Sequence, residues 1–403
     1  MPTHDGEMWA GDRSGRIAPE ITRMSLKSAL GFGSDRKVRY AIVGLGDIAQ
    51  EWMLPGVAHT GNSEVTALVT GDPRKAGAIG ERYGVTDTYG YERFDVMLAS
   101  GKVDALYLAT PNWRHAEFVI PALRAGIHVL VEKPLEVSAE KAEAIFAAQR
   151  ASTAKLMVAY RLHCEPATLD TIRRIRAGEI GEPRSFTSSF SQMVDPANHR
   201  AKNGALAGPL FDMGPYPLNA VRALFGEEPV EVVSAIATRH PDSGFADTDD
   251  TVAVTLRFPG QKTAQFTVSY FADTVSSFIV AGTKGVIQMN PAYGFGDPLE
   301  QTVSRGGDKS HKSWTPTDQF GGEMRYFSDC ILHGRDPEPD GEEGLADVRV
   351  LEAIQRAIET GQRQPLPPFA RARRIDPERQ VQELRFVKPP KPVDAKSPTR
   401  QDA

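Results

Sequence analysis

Cysteine is almost missing from this chain: its 403 residues include only Cys164 and Cys330. Two thiols exclude a disulfide framework, and with each other they exclude a zinc site, so each is expected to be a packed thiol. Long apolar runs are missing too. No stretch approaches the roughly 20 apolar residues that a membrane-spanning helix requires. An export signal needs a run of about 7–15 apolar residues and a small-residue cleavage site. The best candidate, residues 21–30, is broken by Thr22, Arg23, Ser25, Lys27 and Ser28, so a cytoplasmic protein is the expectation. Excess positive charge is the third absence: 47 Lys and Arg against 52 Asp and Glu leave a formal charge of -5. That balance argues against nucleic acid and anionic membranes as partners. No group of His, Cys, Asp and Glu shows metal-ligand spacing.

What is present is ordinary for a soluble globular protein, with 40% apolar and 25% charged residues. The length favours two domains. Residues 1–36 lack sustained periodicity and read as an N-terminal arm. From Lys37 onward, short apolar runs at 38–43, 65–69, 105–109, 128–131 and 156–159 alternate with helical patterns such as 116–125 and 139–151. This alternation indicates βαβ units and a parallel sheet covered on both faces, over residues 37–160. After a helix at 168–177, longer alternating segments appear at 185–191, 230–238, 251–258, 263–271 and 277–281, with a final helix at 344–360. They predict a second domain, 161–387, built on a largely antiparallel sheet with helices on one face. Residues 388–403, rich in Pro and Lys, read as a disordered tail. The fold class is α/β: a Rossmann-type dinucleotide-binding domain followed by an α/β domain. Chemistry is expected at the seam, where the carboxyl ends of the parallel strands face the second domain.

Gly44-Leu45-Gly46-Asp47-Ile48-Ala49 fits the G-x-G-x-x-G/A pattern and stands between a predicted strand and a predicted helix. The first glycine permits the tight turn, the second lets backbone approach a pyrophosphate, and Ala49 allows close helix packing. An NAD site usually carries an acid at the end of the next strand, to bond the ribose hydroxyls. Here that place reads Thr70-Gly71-Asp72-Pro73-Arg74-Lys75. Thr70 removes a carboxylate that would repel a 2′-phosphate, and Arg74 and Lys75 either pair with one or are solvated helix charges. NADP is favoured, with NAD the alternative while Asp72 is free to face the ribose. Thr110 and Asn112 follow the strand at 105–109 and are candidates to touch the cofactor. His115 either joins them or packs locally.

Glu132-Lys133-Pro134 ends the run 128–131, where proline stops the strand and projects the lysine from the sheet edge into the cleft. A cation there steadies a developing alkoxide. Asp212, Tyr216 and Asn219 share a helical spacing and would face the same cleft. Tyr216 is then either an acid/base group beside a lysine or a buried tyrosine near a turn. Tyr160-Arg161-Leu162-His163 ends the last strand of the first domain. Tyr160 is placed to close over the nicotinamide, as Glu132 is to line it. Arg161 and His163 either contact substrate or form an interdomain salt bridge.

Together these motifs resemble the Gfo/Idh/MocA oxidoreductase family over about residues 38–368. They run with Leu54-Pro55-Gly56, Pro111-Asn112, Gly226-Glu227-Glu228-Pro229 and Gly341-Glu342-Glu343-Gly344. The resemblance implies NADP, Lys133 as electrostatic partner, Tyr216 as general acid/base, and an open sheet that supports a homo-oligomer, dimer or tetramer. Many members carry histidine where Tyr216 stands, so the tyrosine resembles the glucose-fructose oxidoreductase branch. The implied activity is hydride transfer between nicotinamide and a sugar or polyol. An aldose or inositol dehydrogenase with exchangeable cofactor is the enzymatic rival, and a sugar- or NADP-sensing regulator the non-enzymatic one.

Overall fold

A sheet buried on both faces needs apolar residues at odd and even positions of each strand. Residues 38–43 supply them: Val38, Tyr40 and Ile42 pack to one side, Ala41 and Val43 to the other. In a computed structural model, which describes residues 36–395 and 397–399, this segment is a central strand. The sheet comprises β1 Val38–Val43, β2 Ser63–Val69, β3 Asp87–Tyr89, β4 Ala105–Leu108, β5 His128–Glu132 and β6 Leu156–Ala159. Its order is β3-β2-β1-β4-β5-β6 and every pairing is parallel. The order reverses between β1 and β4, which opens a crevice at their carboxyl ends.

Helices His115–Arg124 and Ala139–Arg150 pack on one face of this sheet. The other face is covered by Leu54–Thr60 and by Gln319–Leu332, a helix returned from the far end of the chain and absent from the sequence-based expectation. Its mixed composition, Gln319-Phe320-Gly321-Gly322-Glu323-Met324, hides the apolar face that Phe320, Met324 and Phe327 present to the sheet. The first domain by fold therefore borrows a layer from beyond residue 160.

The second sheet has nine strands: β7 Pro183–Ser191, β8 Glu231–Thr238, β9 Thr251–Arg257, β10 Thr263–Ser269, β11 Val275–Gly282, β12 Gly285–Met289, β13 Leu299–Arg305, β14 Asp308–Trp314 and β15 Gln364–Pro365. Their order is β14-β13-β12-β11-β7-β10-β9-β8-β15, with β7 and β10 parallel and the remaining pairs antiparallel. Helices Pro166–Arg176, Pro215–Phe225 and Gly341–Thr360 bury one face through Ile172, Leu218, Val221, Leu351 and Ile354. The opposite face leaves Ile236, Val275 and Ile279 exposed. Strands β12 to β14 were not expected. In β14 the sequence Asp-Lys-Ser-His-Lys-Ser-Trp carries no apolar alternation because nearly all of it faces solvent.

Both cysteines are buried and free. No helix among the described residues is long and apolar enough to cross a membrane. Of the expected arm, residues 1–36, all but the last lie outside the described residues. The described part of the expected disordered tail instead lies along both halves of the fold. Val393 exchanges two hydrogen bonds with the Gln50 side chain, at 2.7 and 3.0 Å, Arg82 donates to the Lys391 carbonyl at 3.0 Å, and Asp195 N–H donates to the Pro398 carbonyl at 2.9 Å. A segment without apolar periodicity is held here through its backbone, which composition does not reveal.

The two sheets are joined by buried charge. Arg222, with no exposed side-chain surface, pairs with Glu228 at 2.5 Å, Glu343 at 2.7 Å and Asp347. Tyr160, just past β6, donates to Asp347 at 2.6 Å. Removing one partner of a buried ion pair leaves an uncompensated charge, at a cost of about 3–5 kcal/mol. Arg222→Leu is therefore expected to lower stability by about that amount, read as a lower urea midpoint.

Candidate active site

Gly44 follows β1 with φ +90, and a Cβ there would meet the Ala109 carbonyl oxygen at 2.6 Å. Only glycine lets the turn after β1 come this close to the turn after β4. At Gly46 a Cβ would meet nothing within 4 Å, so the crevice beside its backbone is open. Ile48 and Ala49 pack on the core below it. Two buried oxygens around this crevice, Asp47 Oδ1 and Thr110 Oγ1, have no hydrogen-bond partner. Burial raises the Asp47 carboxyl, and burial together with Asp47 pushes neighbouring Glu51 up to about 7. An open backbone cradle and unpartnered polar atoms fit a dinucleotide pyrophosphate and ribose.

At the end of β2 the Asp72 carboxylate is committed to helix capping. It accepts from Arg74 N–H at 3.0 Å and Lys75 N–H at 3.3 Å. The Arg74 side chain is 84% exposed, 3.6 Å from Asp72 and 4.0 Å from Asp394. Thr70 is buried. The acid at this strand end thus caps the helix through one oxygen, Oδ1, while its Oδ2 faces the solvent-exposed Arg74.

The reacting end is built where β5 stops. Lys133 Nζ donates to the Asp212 carbonyl at 2.7 Å and to its carboxylate at 3.3 Å. Asp212 also accepts from Tyr270 at 2.8 Å and pairs with Arg200 at 3.1 Å. Asp212 ends a short helix, Pro209–Asp212, and Tyr216 opens the next; at Gly214 between them a Cβ would strike the Leu210 carbonyl oxygen at 2.2 Å. Glycine is required where the two helices meet, and the bend turns both side chains toward Lys133. The lysine ammonium lies 4.7 Å from the Tyr216 ring centroid and the Arg161 guanidinium 5.0 Å from it. Arg161 Nε donates to the Tyr216 hydroxyl at 3.3 Å, while its other nitrogens are held by Gln319 and the Tyr293 and Gly294 carbonyls. Burial alone would lower the Lys133 ammonium, but Tyr216, Asp212 and Glu132 outweigh it and hold it above the usual lysine value. Asp212 is likewise opposed by burial, yet Lys133 and Arg200 hold it well below the usual carboxylate range. A cavity of about 40 Å³ adjoins Lys133, Arg161, His163, Tyr216 and Tyr293.

Lys133, Asp212, Tyr216 and Arg161 are thus brought together, although Asp212 and Tyr216 lie on two helices rather than on one. Other expected contacts have different partners. His115 is fully buried with its ring nitrogens 3.1 to 3.2 Å from the Thr110, Pro134 and Leu135 carbonyls, so backbone surrounds both sides of the ring and its single N–H donates to one of them. The Tyr160 hydroxyl turns away to Asp347. Glu132 accepts from Tyr107 at 2.6 Å. Asn112 lies in a short 3₁₀ turn beside the crevice, and Asn219 pairs with His163. Arg200, Tyr270, Tyr293 and Gln319 were missed. They come from a 3₁₀ turn, the residue after β10, a loop and the start of helix Gln319–Leu332, and no local motif marks them.

Residues 38–160 match the model of an oxidoreductase family with an NAD-binding Rossmann fold, and residues 169–288 match the GFO/IDH/MocA C-terminal domain. The NADP(+)-dependent D-xylose 1-dehydrogenase of Haloarcula marismortui is 33% identical, over 81% of this chain and 92% of the relative. The chain belongs to the Gfo/Idh/MocA family. Among its solved members, aldose-aldose oxidoreductase from Caulobacter crescentus, complexed with glycerol, is 36% identical. It superposes with a TM-score of 0.77 over 82% of this chain and 100% of that one. A 3-ketoreductase from Actinomadura kijaniata, in complex with NADP and TDP-benzene, gives 0.72 at 28% identity over 81% of this chain and 98% of that one. The two-domain α/β architecture is the family's own.

Burial lowers both His115 and His163 from 6.5 to about 4. Between those values the unfolded chain binds more protons than the folded one, so stability rises with pH through this window and is lost as pH falls from about 6.5 toward 4. The slope is on the order of 1.4 kcal/mol per pH unit for each histidine. Urea midpoints measured from pH 7 to pH 4.5 should fall accordingly, and His115→Gln should flatten the decline.

Proposed function

We propose that this family member is an NADP-dependent oxidoreductase that moves hydride between nicotinamide and a CH–OH carbon of a sugar, an aldose in its pyranose form. The observation that carries the reading is the Lys133–Asp212 pair at the end of β5, with the Tyr216 hydroxyl beside the same cavity. Relatives named as NADP(+)-dependent D-xylose 1-dehydrogenase and aldose-aldose oxidoreductase support the substrate class and the cofactor.

The glycine turn, Asp47, Thr70, Thr110 and Asn112 would hold the pyrophosphate and ribose, and Arg74 with Lys75 the 2′-phosphate. When bound, NADP gives or takes the hydride. In the reducing direction Tyr216 hands its proton to the substrate oxygen, and in the oxidising direction it takes the proton back. Arg161 at the hydroxyl and Lys133 over the ring steady the negative charge left on the tyrosine oxygen. Lys133 itself is oriented by Asp212, which Arg200 and Tyr270 fix in turn. A regulator that only sensed sugar would have no use for a proton-transferring tyrosine between two cations. Cytoplasmic residence and a homo-oligomer, assembled through the sheet face that exposes Ile236, Val275 and Ile279, belong to the same proposal.

Tyr216→Phe and Lys133→Ala should each lower kcat about 10²–10⁴-fold while cofactor binding, read by fluorescence titration, survives. Wild-type turnover in both would sink the assignment. Arg74→Ala with Lys75→Ala should weaken NADP about 10–100-fold, the worth of a charge-assisted bond, and leave NAD affinity unchanged. Equal weakening of both cofactors would show that these residues do not read the 2′-phosphate.

A further inference from the structure

His163 adjoins the same cavity as Lys133 and Tyr216, and its ring is buried. One nitrogen, Nε2, lies 2.5 Å from Asn219 Oδ1. The other, Nδ1, is buried without a partner. Which nitrogen carries the proton follows from the groups behind Asn219. The amide Nδ2 faces two carboxylates, Glu343 at 2.6 Å and Asp347 at 3.2 Å. Carboxylates accept hydrogen bonds, so the NH₂ end of the amide must point at them and the oxygen at the histidine. An amide oxygen only accepts, so Nε2 must be the protonated nitrogen. Arg222 and Arg371 stand in the same network and disfavour a second proton on the ring, as burial does. Nδ1 is therefore a bare acceptor, held in one tautomer by groups more than 50 residues away in sequence.

We propose that His163 is a specificity-determining residue whose Nδ1 accepts a hydrogen bond from a second sugar hydroxyl, not the one that Tyr216 serves. The inference rests on the reading of the cavity as a sugar site. Lys133 and Arg161 offer only donors there, and the Asn219 oxygen is already taken by Nε2. A hydroxyl bound among those donors still needs an acceptor for its own hydrogen. An unsatisfied buried acceptor is also unfavourable to maintain, and a ligand hydroxyl relieves it.

Two substitutions separate this role from a structural one. Asparagine places a polar atom near the position of Nδ1, and glutamine places one near Nε2. With D-xylose and D-glucose as probes, His163→Gln should raise KM about 3–10-fold, the worth of one hydrogen bond, with kcat changed less. His163→Asn should stay near the wild-type KM although it gives up the Asn219 contact. The reverse ranking, or two variants with wild-type KM, would overturn the proposal. The ¹⁵N spectrum of the wild-type ring at neutral pH gives an independent reading. A proton on Nε2 alone supports the acceptor, and a proton on Nδ1 refutes it. If the wild type oxidises no aldose, the sugar reading fails, while the nitrogen spectrum still decides the state of His163.

Discussion

The Lys133–Asp212 ion pair crosses from the end of a parallel strand to the short helix Pro209–Asp212 of the other domain, and the reacting geometry depends on it. Each charge is largely removed from water, so neither is tolerable alone. Asp212 is kept ionised by Lys133 and Arg200, and Lys133 is kept cationic by the groups around it. The pair fixes the distance between the edge of the first sheet and Tyr216. Substrate would meet a lysine and a tyrosine already set against each other, which is what preorganisation requires.

A second set of buried charges does for orientation what the first does for reactivity. Arg222, Glu228, Glu343 and Asp347 satisfy one another and reach Tyr160 and Asn219. Because Asn219 touches His163, the network extends to the wall of the cavity. The same burial that makes His163 a neutral acceptor makes the fold sensitive to acid. Electrostatics of the site and stability against pH therefore have a common origin.

Much of the architecture was legible in the residues themselves. Apolar positions on both sides of β1, β4 and β6 announced a doubly covered parallel sheet, and Gly44-x-Gly46-x-x-Ala49 announced the turn that follows it. Lys133 could be placed because proline ends its strand, whereas spacing left Tyr216 open between an acid/base group and a buried tyrosine, and it lies on a different helix from Asp212. The spacing did not disclose that His115 and Tyr160 would spend their polar atoms inside the protein. Each looked available because most of its neighbours, the Pro134 and Leu135 carbonyls for His115 and Asp347 for Tyr160, are 19 to 187 residues away. Helix Gln319–Leu332 and strand β14 escaped notice for a related reason: one packs through a broken apolar pattern and the other barely packs at all.

By itself the sequence determined the period of each strand, the glycine turn, the lysine at a strand end and the Asp-Tyr spacing, because these depend on neighbours within a few residues. The tertiary structure alone decided which of those groups remain available to a ligand. Asp72 is taken by its helix and His115 by backbone, while His163 is left with one nitrogen free. A buried polar group must find a partner wherever the fold supplies one, and that choice is made by segments that only folding brings together.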